Sequence, residues 1–233
     1  MQLFFDPDIQ PGLHELREAE AIHAARVLRK RVDDEIDIVD GLGGWFRARI
    51  TAISKRGCTV DAREIRRESS RAPHRLSLWV APTKSIDRFE FVLEKATEIG
   101  VDVIQPMFTE HSERNRLRTD RLARVIESAA KQSLKAWMPR LEEPLAFSDL
   151  LDSVTAAHRY LAYLGAETPV LLRDQPVPVA SVVVAIGPEG GFSPAEADAA
   201  RDRNFTWVSL GPHRLRTETA AITAVHTLES LGW

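Results

Sequence analysis

Two segments near the carboxyl end hold the residue types that chemistry on a ligand needs. Residues 181–201 read SVVVAIGPEGGFSPAEADAAR: an apolar run, the loop Gly187-Pro188-Glu189-Gly190-Gly191, and a helix start. Ser193 suits the cap of that helix, Pro194 its first turn, and Glu196 completes a capping box. Glycines at the carboxyl end of a strand let backbone amides and carbonyls approach a ligand, and ligands bind at that edge of an α/β sheet. The same glycines also serve a plain tight turn. No Gly-Lys-Ser/Thr follows, as a P-loop requires, and no G-x-G-x-x-G follows an early strand. The second segment, LGPHRLRTETAA from Leu210, repeats the pattern of strand end, glycine and helix start. Arg214, Arg216, Thr217, Glu218 and Thr219 crowd into one turn where backbone donors are also free. As a cluster they suit a ligand; Glu218 alone would be a cap that favours the helix dipole.

The elements that position these loops follow from periodicity. From residue 76 the chain alternates strand and helix: strands over 76–81, 101–105, 160–164, 181–186 and 206–210, helices over 85–99 and 120–137 and after the last two strands. This predicts an α/β unit with a mostly parallel sheet. The first seventy or so residues read as short strands with one helix over 18–29, and Asp40-Gly41 supplies a turn. Ile36 and Ile38 share one strand face, and Phe46, Ala48, Ile50 and Ala52 another, leaving Trp45, Arg47 and Arg49 outward. Such a trio can stack a base and neutralise phosphates. The alternative is a tryptophan packed beneath a loop with arginine stems across it. Residues 66–74, RRESSRAPH, read as a linker, so the expected domains are 1–72 and 73–233.

Composition sets the outer bounds. The chain has 233 residues, net charge −3, 44% hydrophobic and 28% charged residues, which describes a globular protein with a proper core. No apolar run approaches a membrane span, and the amino terminus lacks a basic region ahead of an apolar stretch. A lone Cys58 and no cysteine or histidine cluster predict no disulfide, no metal and a reducing, cytoplasmic setting. Charge is segregated: residues 45–75 hold 9 basic and 3 acidic residues, residues 114–140 hold 8 and 2, and residues 141–233 hold 6 and 12. Either basic stretch alone could be a solubility surface; two together point to a polyanion such as nucleic acid. Glu90, Glu94 and Glu98 form a like-charged helical stripe, commonly a solvated face.

Five segments, in order along nearly the whole chain, resemble the RsmE-like 16S ribosomal RNA uracil-N3 methyltransferases of the SPOUT (trefoil-knot) superfamily. They are HAARVLRKRVDDEIDIVDG from His23, KSIDRFEFVLEKATEIGV from Lys84, KQSLKAWMP from Lys131, IGPEGGFSPAE from Ile186 and LGPHRLRTETA from Leu210. The resemblance implies an amino-terminal PUA-like β-barrel followed by a SPOUT α/β domain whose carboxyl-terminal segment is threaded into a knot. It implies S-adenosyl-L-methionine as cofactor, held by Ile186, Gly187, Pro188, Glu189, Gly190, Gly191, Leu210, Gly211, Leu215, Arg216, Thr217 and Glu218. It also implies a homodimer, and a uridine in the decoding region of 16S rRNA in the small subunit as target. Glu218 is the candidate base, with Arg216 or Arg29 as candidate cations. Arg29, Trp45, Arg47, Arg49, Arg124, Lys131 and Lys135 are the candidate RNA contacts. The same residues would also permit another RNA substrate, or a non-catalytic ribosome-binding assembly protein.

Overall fold

The computed structural model describes residues 2–68, 74–165, 170–176 and 180–231. The chain forms two compact units, Met1–Arg71 with Glu127–Met138, and Ala72–Ile126 with Pro139–Trp233. The expected boundary between 72 and 73 lies outside the described residues.

The first unit contains β1 (Leu3–Phe5), β2 (Gly12–Glu15), α1 (Glu18–Ile22), β3 (Glu35–Val39), β4 (Gly44–Ile53) and β5 (Cys58–Arg67). They form one sheet in the order β1-β3-β4-β5-β2, antiparallel except for the β1–β3 pair, and no ladder joins β1 to β2 among the described residues. The β3–β4 turn is set by Asp40, whose Oδ1 accepts the N–H groups of Leu42 at 2.7 Å and Gly44 at 2.8 Å, with Gly41 at φ 79°. Phe46, Ala48 and Ile50 point into a core with Phe4, Ile36, Ile38 and Val60. Ala52 does not join them: the β4–β5 register shifts between Ile50 and Ala52, and one extra residue turns Ala52 to the exposed face. The expected linker over 66–74 starts later than its composition suggests, because β5 runs through Arg67. The helix expected over 18–29 holds α-helical spacing only to Ile22; it then widens, with Leu28 N–H reaching His23 O at 3.0 Å, and Arg29 sits at φ 52°.

The second unit contains β6 (Arg75–Val80), α2 (Ile86–Ile99), β7 (Val103–Phe108), α3 (Thr119–Gln132) as far as Ile126, β8 (Arg140–Leu141), β9 (Leu145–Ala146), α4 (Phe147–Ser153), β10 (His158–Ala162), β11 (Val170–Leu171), β12 (Ser181–Ile186), α5 (Pro194–Asp202), β13 (Thr206–Ser209) and α6 (Thr217–Ser230). Its sheet runs β11-β13-β10-β12-β6-β7-β8, with β9 also on β7, and every pair is parallel. All carboxyl ends therefore share one edge. The apolar runs are near-continuous, as strands covered on both faces require. α2 buries Phe89, Val92, Leu93 and Ala96 and stops at Gly100. Ser85 stands at its N-cap position without a side-chain cap bond. α5 carries the full Ser193–Glu196 capping box. After β12 the chain passes to β13, beyond β10, and returns so that α6 packs on α2, β6 and β12. A small sheet unit followed by a parallel α/β unit is the order of domains that the resemblance implied. Among the described residues no helix is long and apolar enough to cross a membrane.

The end of α3 differs from expectation. The helix stops at Gln132 rather than Trp137 because Leu134 adopts φ 57° and Lys135 N–H closes on Ala130 O. Residues Glu127–Met138 belong to the first unit, where Lys131 Nζ lies 2.6 Å from Glu20 Oε1 and 3.4 Å from Glu127. The Glu20 side chain is almost wholly buried, and burial pushes its carboxyl above the ordinary range against the pull of Lys131. Removing the cation strands that carboxylate, so Lys131→Met is expected to cost about 3 kcal/mol in denaturant unfolding at neutral pH. A group whose folded pKa is raised favours the folded state when protonated. The loss should therefore shrink as pH falls through that raised value.

Candidate active site

A cavity of about 550 Å³ opens at the carboxyl edge of β10, β12 and β13. β10 ends in Ala162-Tyr163-Leu164-Gly165, β12 in Gly187-Pro188-Glu189-Gly190-Gly191, and β13 in Leu210-Gly211, with His213 to Thr217 closing the wall. Parallel pairing of β10 with both β12 and β13 brings the three endings together. Gly191 at φ 72° and Gly211 at φ 140° take angles that side chains rarely adopt, and the space that a Cβ would fill is open at both. Gly187 is close-packed, its missing Cβ 3.1 Å from the Phe192 ring. The loops are cross-tied. Thr217 Oγ1 donates to Gly187 O at 3.2 Å in a buried bond, the Ser209 hydroxyl donates to Gly211 O at 2.9 Å, and His111 Nδ1 lies 3.2 Å from Gly191 O. Glu189 turns its carboxylate to the Lys84 N–H at 3.1 Å.

Of the residues expected to hold a cofactor, Ile186, Gly187, Pro188, Glu189, Gly190, Gly191, Leu210, Gly211, Leu215, Arg216 and Thr217 all line this cavity. Glu218 does not. Successive helical residues diverge by about 100°, so with Thr217 turned to Gly187 the next side chain faces α2, where Glu218 Oε1 lies 3.7 Å from Arg88 Nε. The other oxygen, Oε2, is buried without a hydrogen-bond partner. Tyr163, Leu164, Gly165, Phe192 and His213 line the cavity without having been expected, and Arg214, from the polar turn read as suited to a ligand, lines it as well. A signal for the first three existed in YLAYLG, a strand ending in glycine like the other two, but only the sheet order makes it a neighbour of β12.

The donor set fits S-adenosylmethionine. Ile186, Phe192, Leu210 and Leu215 give apolar walls for a flat base, backbone groups of the glycine loops offer polar partners at its edges, and Arg214 and Arg216 suit a carboxylate. The volume falls within the range of about 300–1,000 Å³ usual for small-molecule sites.

The expected RNA contacts divide. Trp45 is 7% exposed, packed with Leu3, Val39 and Ala136, its Nε1 donating to Glu68 at 2.8 Å and Arg66 lying 4.7 Å over its ring. It is a core residue under arginine stems, not a stacking platform, because a second apolar cluster claims the strand face expected to be outward. Lys131, its side chain 18% exposed, is likewise committed to Glu20 instead of solvent. Arg47 pairs with Asp37 at 3.0 Å, while Arg29, Arg49 and Arg124 are exposed. Lys135 is half-buried. The glutamate stripe on α2 is neutralised locally: Glu90 meets Arg121, and Glu94 and Glu98 share Lys95.

Comparison with known proteins agrees with this geometry. Residues 70–229 match the family model of an RNA methyltransferase domain and residues 16–62 that of an RNA methyltransferase PUA domain. Ribosomal RNA small subunit methyltransferase E of Synechocystis sp. is 30% identical over 223 residues, covering 93% of this chain and 72% of that protein. The crystal structure of a probable rRNA-methyltransferase from Porphyromonas gingivalis is 38% identical with a TM-score of 0.88, covering 100% of this chain and 98% of that one. That of a ribosomal RNA small subunit methyltransferase E from Neisseria gonorrhoeae bound to S-adenosyl methionine is 27% identical with a TM-score of 0.87, covering 99% and 98%. With the family model spanning most of its length, and a cavity built from the loops that carry the resemblance, the chain belongs to the ribosomal RNA small subunit methyltransferase E family of RNA methyltransferases.

Proposed function

We propose that this chain transfers the methyl group of S-adenosylmethionine to N3 of one uridine in the decoding region of 16S ribosomal RNA, acting in the cytoplasm on the small subunit. The observation that carries this reading is the cavity formed by the GPEGG loop and the turn before α6, in a chain whose relatives are small-subunit methyltransferases. Bound there, S-adenosylmethionine supplies an electrophilic methyl on a sulfonium. The backbone of Gly187–Gly191 and of the turn from Leu210 to Leu215 orients it, and Thr217, bonded to Gly187 O, fixes one glycine loop to the start of α6.

Uridine N3 is protonated at neutral pH, so methylation needs a base to take that proton or a cation to stabilise the resulting anion. Glu218 is the candidate base; its carboxylate, turned here toward Arg88, must swing to the cavity beside Thr217 to reach that proton. Arg216, in the cavity wall, and the exposed Arg29 are the candidate cations. N3 lies on the pairing edge, so the uridine must leave its stack to react. Arg47, Arg49, Arg124 and Lys135 are the candidate phosphate contacts. The resemblance makes a pair of copies the expected assembly.

Incubation with labelled S-adenosylmethionine and small subunits lacking the modification is expected to place one primer-extension stop at a decoding-region uridine. A stop elsewhere would remove that target. Gly191→Val sets a β-branched side chain into the open cavity at an angle it rarely takes. Cofactor affinity by titration calorimetry should fall about a hundredfold, with the far-ultraviolet spectrum unchanged. Glu218→Gln is expected to lower kcat by about 10²-fold or more while cofactor affinity stays normal; full turnover would exclude Glu218 as the base.

A further inference from the structure

A second cavity, about 330 Å³, sits at the same sheet edge over the loops that follow β6 and β7, and the chemistry above leaves it without a role. Lys84, Glu113, Arg114, Asn115 and Arg116 line it, three cations against one carboxylate. Arg114 is held from behind by carbonyls: its Nε donates to Thr83 O at 3.3 Å and its Nη2 to Lys84 O at 2.8 Å. Carbonyls orient a guanidinium without cancelling its charge, and the rest of its five donors stay available. Lys84 Nζ lies 2.8 Å from Glu113, while Arg116 forms no ion pair among the described residues. The cavity has no apolar wall to hold a flat organic ligand.

Two bonds tie these loops to the wall of the first cavity, and a third ties them to the helix that follows its glycine loop. Glu189, in its wall, accepts the Lys84 N–H; His111 meets Gly191 O; and Glu196, at the start of α5, accepts the Glu110 N–H at 2.9 Å. A ligand gripped by Arg114 and Arg116 would thus be indexed to the loop that holds the cofactor.

We propose that this second cavity binds a phosphodiester of the substrate RNA beside the reacting nucleotide, which makes Lys84, Arg114 and Arg116 positioning residues for methyl transfer. The proposal rests on the RNA-methylating function above. Planar guanidinium forks match phosphate oxygens bidentately, and the carbonyl-held Arg114 presents its fork with little left to order.

The probe is small ribosomal subunits lacking the modification, bound to wild type, Arg116→Gln and Arg116→Lys across a salt series, with methyl-transfer kinetics and cofactor titration alongside. For Arg116→Gln the salt slope of log affinity should fall by about one. Its KM for subunits should rise about tenfold, with kcat and cofactor affinity little changed. Arg116→Lys should recover the slope but only part of the KM, since a point charge replaces the fork. An Arg116→Gln slope equal to wild type would overturn the proposal, and so would a loss of cofactor affinity, which would assign the cavity to the cofactor. Wild-type binding without methyl transfer, with the slope still falling in Arg116→Gln, would sink the reaction and leave the phosphate site standing. No wild-type binding would sink both.

Discussion

The position of β12 in its sheet is the constraint on which the site depends. Six residues, Ser181 to Ile186, pair in parallel with β6 along their whole length and with β10 along five of them. A parallel strand delivers its carboxyl end to the same edge as its neighbours, so the loops after β6, β10 and β12 must meet there. The chain uses that edge twice. Over β10, β12 and β13 it builds an apolar-walled cavity from glycine loops; over β6 and β7 it builds a cationic one. Glu189 is shared, lining the first and holding the backbone of Lys84 for the second.

The return of α6 locks the edge. Its first residue, Thr217, donates to Gly187 O, the first peptide after β12, so the helix start and the glycine loop hold a common spacing. α6 then lies on α2 and on β6 and β12. Movement of the LRTET turn is therefore resisted by the packing of a whole helix whose Ala221, Ala224, Val225 and Leu228 are fully buried. A pocket lined by flexible-looking glycines is made rigid from behind, which is what backbone recognition of a cofactor needs.

The local rules that sequence exposes were those with a short physical range. The capping box of α5, the Asp40-Gly41 turn, the stop of α2 at Gly100 and the run of β12 are fixed within a few residues, and each could be read. What escaped was set by partners distant in sequence. Trp45 alternates as an outward residue, but Leu3, Val39 and Ala136 form an apolar cluster on that face. Ala52 alternates as an inward one, but a register shift reverses it. Lys131 counts towards a basic stretch, yet it neutralises Glu20, more than a hundred residues earlier in the chain. The loops that line the first cavity were legible because glycine and capping residues mark them. The Tyr163-Leu164-Gly165 wall was not, because only strand order makes it a neighbour.

Charge segregation is thus a poor guide to which cations face a ligand, and burial is the better one. Of the basic residues between 114 and 140, Lys131 is spent on a buried carboxylate and Arg121 on Glu90, whereas Arg124 is 81% exposed with only a distant contact to Asp120. Arg114 is a third kind: half-buried, fixed by neutral carbonyls, its charge not cancelled. A cation that is both immobilised and uncompensated loses little freedom on meeting a phosphate and gives up no internal ion pair to do so. Exposed arginines such as Arg49 and Arg124 lack that preorganisation. They suit long-range attraction of a polyanion, which sets the rate of encounter, while the carbonyl-held fork beside the glycine loop suits registration of the strand once bound.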